Sequence, residues 1–348
     1  MAPTDDDNED TDEAPHPRVT NRFFGHAAVE AALLAAYRSG RLPHGVLIAG
    51  PKGIGKATLA YRMARFVLAH PDPLAGAVHS AQSLEVASTD LVARRIAAQA
   101  QPDLLVIERT VNEKGVLRNQ IAVEDIRRAV PFFGSTAGEG GWRIAIIDAI
   151  DDLNRSGANA LLKVLEEPPK RALLLLVAHS SARVPPTLRS RCRVISLRPL
   201  AQADVAGAVA AAIEAEPDDP EIAAAAAAAG GSVARALALL DEGALELRQR
   251  VLDLLAKLPA PLDAADLHAL GEALAGTDPQ PLAAFLDTVN DWLAARLDFG
   301  RGDLAKMARL ADASERINTA ARDAEMYNLE RKPLVFSVFG LLAEATHG

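Results

Sequence analysis

Apolar residues along this chain follow two rhythms. Short, almost unbroken apolar runs stand at 46–49, 104–108, 143–148, 172–178 and 193–197, as expected of strands in a parallel sheet buried on both faces. Between them, 27–38, 56 to about 68, 123–133 and 155–167 read as helices. Gly40 and Pro43 break the first helix, and Pro168-Pro169 stop the last. Strands alternating with helices predict an α/β domain that ends near Arg198-Pro199. A loop or hairpin is expected at 112–119.

Beyond that point the strand rhythm disappears. Segments 204–215, 220–229 and 232–240 read as three short helices, with Asp218 and Ser232 as N-caps and Gly230-Gly231 ending the middle one. The Ala-rich stretch 223–229 favours helix, since Ala loses no side-chain entropy there. From 243 onward, longer amphipathic helices run in series, with breaks near 259–261, 278–281 and 300–302. Their apolar faces around 251–258, 285–297 and 335–342 exceed what a single layer buries, which predicts oligomerisation.

Composition and charge narrow the reading. A chain of 348 residues with 49 % hydrophobic and 24 % charged residues suits two or three globular domains. The net charge is −9, and residues 1–20 carry seven acidic groups against Arg18. That segment reads as a solvated, disordered acidic tail. The remainder is not basic enough to predict autonomous nucleic-acid binding. Cys192 is the single cysteine, so neither an internal disulfide nor a Cys-rich zinc site can be built. With no leader-like apolar segment at its start and no run of membrane length, the chain reads as cytoplasmic, with no membrane partner.

Candidate chemistry begins after the first apolar run. Gly50-Pro51-Lys52-Gly53-Ile54-Gly55-Lys56 fits G-x-x-x-x-G-K between a strand and a helix. Glycines let main-chain N–H groups curl round an anion, the helix N-terminus adds positive potential, and Lys56 reaches the outer phosphates. The alternative is a Gly-rich turn with an exposed lysine. The next residue should carry a hydroxyl for Mg²⁺, but it is Ala57, and Thr58 is rotated about 100° further round the helix. The strand 144–147 ends in Asp148, the expected metal-side carboxylate, yet Ala149 stands where a water-polarising Glu belongs. Asp151 and Asp152, farther on, read as an N-cap or a solvated loop. Two losses in one site predict a degenerate ATPase, because hydrolysis needs positioning and charge neutralisation together.

The segment 159–169, reading NALLKVLEEPP, followed by Thr187-Leu188-Arg189-Ser190-Arg191-Cys192, resembles the bacterial clamp-loader AAA+ family. The resemblance spans about 21–240 by motif and the C-terminal helices by architecture. It implies a RecA-like AAA+ parallel-sheet domain at 21–198, a small three-helix lid at 199–242 and an all-α collar at 243–348, after the 1–20 tail. It implies that Arg191 acts in trans as an arginine finger, where composition alone gives a surface salt bridge. Arg235, after Gly230-Gly231-Ser232, resembles the lid sensor arginine. His179 falls at the first sensor position, or is an ordinary strand-end histidine. Phe23, Phe24 and His26 lie where the family has its adenine pocket, or staple the first helix. ATP or ADP at a degenerate site follows from the resemblance, and zinc does not, because 71–101 contains no cysteine. The implied partners are motor and delta subunits in a pentamer, with the sliding clamp and primed DNA reached through the complex. Departures at Ala57 and Ala149, with Arg191 retained, resemble the family's stator-like member rather than its motor. The basic pairs Arg94-Arg95 and Arg127-Arg128 read as solvated helix faces.

Overall fold

The computed structural model describes residues 15–110, 118, 120–134, 141–276, 278–297, 304–327 and 329–347. Most of the acidic tail, most of the loop or hairpin at 112–119 and the break at 300–302 fall outside the described residues. The chain divides into two compact units, Met1–Ala236 and Leu237–Gly348.

The first unit runs α1 (Ala27–Arg38), β1 (Gly45–Ala49), α2 (Lys56–Ala69), α3 (Gly76–Ser80), α4 (Leu91–Ala97), β2 (Leu104–Glu108), α5 (Val123–Arg127), α6 (Ala129–Gly134), β3 (Arg143–Asp148), α7 (Arg155–Glu166), β4 (Ala172–Ala178), α8 (Pro186–Arg189) and β5 (Arg193–Ser196). The strands form one parallel sheet in the order β2-β3-β4-β1-β5. This is the RecA-like AAA+ α/β architecture expected.

The unbroken apolar runs have a plain cause. Every residue of β1 and β4 is buried, because helices cover both faces. Alternate residues serve the two faces. Val46, Ile48, Ile144, Ile146, Leu173 and Leu175 pack toward α1, α2 and α4, while Leu47, Ala145, Ile147, Leu174 and Leu176 pack toward α5, α6 and α7. The edge strand β5 is largely exposed and begins with Arg193, a charge that discourages pairing with another sheet edge.

The structure departs from the sequence pattern in two places. The helix expected over 123–133 is broken at Arg128 into α5 and α6. The helices α3 and α4 were not anticipated. Arg94 and Arg95 do lie on an exposed face of α4.

The lid elements α9 (Gln202–Ala212), α10 (Pro220–Ala228) and α11 (Val233–Ala238) follow. The cap of α10 is Asp219 rather than Asp218, since its carboxylate accepts from Glu221 N and Pro220 opens the helix. Ser232 does cap α11, accepting from Arg235 N at 3.3 Å.

The second unit contains α12 (Ala244–Lys257), α13 (Ala264–Ala273), α14 (Gln280–Arg296), α15 (Leu304–Met326) and α16 (Arg331–Thr346). Val251, Leu255, Phe285, Val289, Leu293, Val335, Val338, Phe339 and Leu342 form one buried cluster. The faces from which oligomerisation was inferred therefore satisfy one another within the unit, and that argument loses its basis. Among the described residues, no helix is long and apolar enough to cross a membrane.

Candidate functional site

The strand order places β1 between β4 and β5, and the phosphate loop leaves its C-terminal end. Crevices beyond the carboxyl ends of strands, where the order reverses, are where open α/β sheets take ligands. The loop needs its glycines. Gly53 and Gly55 have φ of +77° and +89°, in the left-handed region. A Cβ on Gly53 would land on Ser232 Oγ and stand 2.8 Å from Ala234 Cβ.

Three carbonyls of the loop are held, each by a different element. Lys56 Nζ donates to Pro51 O. Val233 N and Ala234 N, at the start of α11, donate to Gly53 O at 2.8 and 3.4 Å. His26 Nε2 lies 3.2 Å from Ile54 O. Pinning the carbonyls leaves the opposite, N–H side of the loop for an anion. Gly55 caps α2 without any side-chain hydrogen bond, and the first N–H groups of a helix have no acceptor within it. These residues fit a phosphate group. Ala57 supplies no hydroxyl for its metal, and Thr58 sits one position further along α2.

Electrostatics agree with an anion cradle. Lys56 is only 4 % exposed. Burial pulls its ammonium down to about 8, against the opposing pull of Asp148 and Asp151. Asp148, in register with Glu108 on β2, is pushed up to about 6 by burial, with Lys56 opposing and the charges of Glu108 and Asp152 adding. A lysine with its pKa at about 8 holds its proton at neutrality and gives it up within the accessible range. A triphosphate held by this loop should therefore lose about tenfold in affinity between pH 7 and pH 9. Asp148 is already ionised throughout that interval and adds no slope. Titration with a fluorescent nucleotide checks this, and Lys56→Arg should flatten the profile because guanidinium stays charged.

The structure reassigns two acidic residues. Asp151 is neither a helix cap nor a solvated loop residue. Its carboxylate accepts from His179 N and, at 3.3 Å, from Ser180 N, tying down the chain where β4 ends. Asp152 pairs with Arg109 at 3.1 Å, and Asn154 caps α7. Ala149 is buried and brings no carboxylate to the site. His179 feels the Lys56 charge, and burial lowers its pKa. Its Nδ1 is buried without a partner.

The aromatics flank the cradle. Phe23 Cε2 would lie 3.5 Å from a Cβ on Gly55, its ring lies under the Arg62 guanidinium, and Phe24 rests against Gly207 of α9. Arg235 lies beside Gly230, two residues beyond the amide that holds Gly53.

Arg191 lies at the other edge of the sheet. It precedes β5, whose Arg193 pairs with Val46 near the start of β1, whereas Lys56 follows the end of β1. About 13 Å of strand separates the two levels. Its Nη2 is 2.7 Å from Glu166 Oε1 and its Nη1 donates to Thr187 O at 2.9 Å. Within the chain Arg191 thus forms the surface ion pair that composition alone suggested. The neighbouring Cys192 thiol is pushed up to about 11 by burial and is chemically quiet.

The family model described as DNA polymerase III, delta subunit, matches residues 25–201. Among curated proteins, subunit delta' of DNA polymerase III from Pseudomonas aeruginosa is 34 % identical over 221 residues, covering 62 % of this chain and 61 % of that protein. The Escherichia coli subunit delta' is 30 % identical over 170 residues, covering 48 % and 46 %. Subunit gamma from Buchnera aphidicola is 25 % identical over 189 residues, covering 54 % and 47 %. The chain thus spans roughly half the length of these relatives. The family model spans the phosphate loop, Asp148 and Arg191, and two relatives carry one name: this chain belongs to the DNA polymerase III delta-subunit family of AAA+ clamp-loader proteins, as a member of delta-prime type.

Proposed function

We propose that this chain is a clamp-loader subunit that holds nucleotide without turning it over and lends Arg191 to the ATPase site of a neighbour. The observation that carries this reading is the division of chemistry between the two edges of one sheet. At the C-terminal edge stand an intact anion cradle and Lys56, without the hydroxyl and carboxylate that hydrolysis needs. At the opposite edge stands an exposed arginine, too far away to serve that cradle. A guanidinium is planar, permanently charged and forked to match phosphate oxygens. In this reading the partners are motor and delta subunits in a pentamer, acting in the cytoplasm to load the sliding clamp onto primed DNA. The chain contributes Arg191 and a framework. ATP or ADP would be held by the main chain of 50–57 and by Lys56, with Arg235 at the outer phosphates and Asp148 on the side where a bound cation would sit.

The competing reading is a motor-type ATPase that uses Lys56, Asp148 and Thr58. Turnover by the purified chain separates the two. No ATP hydrolysis above background is expected at saturating nucleotide. Steady hydrolysis that Lys56→Ala abolishes would establish the motor reading instead.

A further inference from the structure

We propose that Glu166 is the positioning residue for Arg191, holding its fork in the pose from which it meets a neighbour's phosphate. This rests on the trans role of Arg191 proposed above. An arginine side chain on a surface normally samples many rotamers, and a fork that must dock on phosphate loses that freedom on docking. Here the freedom is already restricted. Glu166 Oε1 takes Nη2 at 2.7 Å, and Thr187 O takes Nη1 at 2.9 Å.

Both acceptors stand on fixed supports. Glu166 ends α7 directly after Leu165, which is 2 % exposed, and Thr187 lies in α8 directly before Leu188, which is 1 % exposed. Two core leucines thus fix the backbone from which the two acceptors reach the guanidinium, as a rigid second layer of support should.

The hold also leaves the arginine usable. A guanidinium has five N–H donors, and these contacts engage two of them. The side chains of Arg191 and Glu166 remain 37 % and 48 % exposed, so an incoming phosphate can reach the free edge. An exposed ion pair is weak. Its contribution is therefore orientation rather than stability, and Glu166 gives way readily if the phosphate needs the whole fork.

The test uses the assembled clamp loader, with every other ATPase site silenced at its own phosphate-loop lysine, and reads kcat and KM at the site facing Arg191. Glu166→Ala is expected to lower kcat about tenfold with KM unchanged. Glu166→Gln, which keeps an oxygen at the Oε1 position, should recover most of the loss. In the Arg191→Ala background, Glu166→Ala should cost nothing further, as a double-mutant cycle requires of residues acting in series. Assembly measured by gel filtration excludes a failure to incorporate. Normal kcat in Glu166→Ala beside an impaired Arg191→Ala overturns the positioning role and leaves the trans role standing. A Glu166→Ala loss that persists in the Arg191→Ala background overturns it as well, since Glu166 then acts through something else. Normal turnover in Arg191→Ala removes the trans role, and the proposal with it.

Discussion

Alanine at Arg191 is expected to lower ATP turnover at the neighbouring subunit's site by about 10³-fold, the lower end of what a trans-acting arginine contributes to phosphoryl transfer. The loss should fall on kcat. In the proposed role the guanidinium would meet charge that develops on the transferring phosphate and so stabilise the transition state more than bound ATP. Arg191→Lys should rescue little, because an ammonium keeps the charge but not the two-pronged geometry. Stability should scarcely move. The side chain is 37 % exposed, and its pair with Glu166 is of the exposed kind that contributes about 0–1 kcal/mol. Steady-state kinetics of the assembled complex, with thermal denaturation of the isolated chain, checks both halves. Full activity in the variant would leave Arg191 a surface ion pair and nothing more.

Alanine at Glu30 is expected to destabilise the first unit by about 3–5 kcal/mol, the cost of stripping a buried charge of its partner. Glu30, Arg62 and Arg65 are 8 %, 4 % and 2 % exposed. Glu30 Oε1 accepts from Arg62 Nε at 2.9 Å, from Arg62 Nη2 at 2.7 Å and from Leu84 N at 3.0 Å. Arg62 also donates to Asn21 O, and Arg65 donates to Arg18 O and Asn21 Oδ1 at 2.8 and 3.2 Å. The carboxylate thus pairs with Arg62, and the two guanidiniums fasten the segment before α1 onto α2. Without Glu30 the Arg62 cation remains buried beside Arg65 with no counter-charge, since arginine does not shed its proton in proteins. Glu30→Ala combined with Arg62→Met should recover much of the loss. The two tryptophans, Trp142 and Trp292, lie one in each unit. Trp292→Phe therefore lets Trp142 fluorescence follow urea unfolding of the first unit alone. A Glu30→Ala midpoint within the error of the parent would remove this account.

This cluster shows where the sequence was readable and where it was not. The five strands stood out because residues buried on both faces have to be apolar in succession, so β1, β3 and β4 could be placed almost to the residue. The phosphate loop was legible because its glycines and lysine keep a fixed spacing between a strand and a helix. Glu30, Arg62 and Arg65 gave no comparable signal. On a helix a charged residue reads as solvent-facing unless its partner is known, and the partner here is 32 positions away for Glu30 and Arg62. The same holds for Asp151, whose donors, the His179 and Ser180 N–H groups, come from another strand's end, and for the Arg191–Glu166 pair, which joins the turn before β5 to the end of α7. The short helices α3 and α4 escaped because five and seven residues show too little of the 3.6-residue period. The collar faces were visible, but their partners were one another.

The two edges of the sheet have a consequence for assembly. A contact that brings Arg191 of one molecule to the cradle of the next joins unlike surfaces, so it cannot close on itself as a two-fold dimer does. Such heterologous contacts propagate in one direction, into a ring if the rotation closes and an open row if it does not. A row of this kind has two different ends. On the proposed reading, a molecule that gives an arginine and asks for none in return, its own cradle having no turnover to assist, would belong at the end where the donor edge points inward and the cradle faces out.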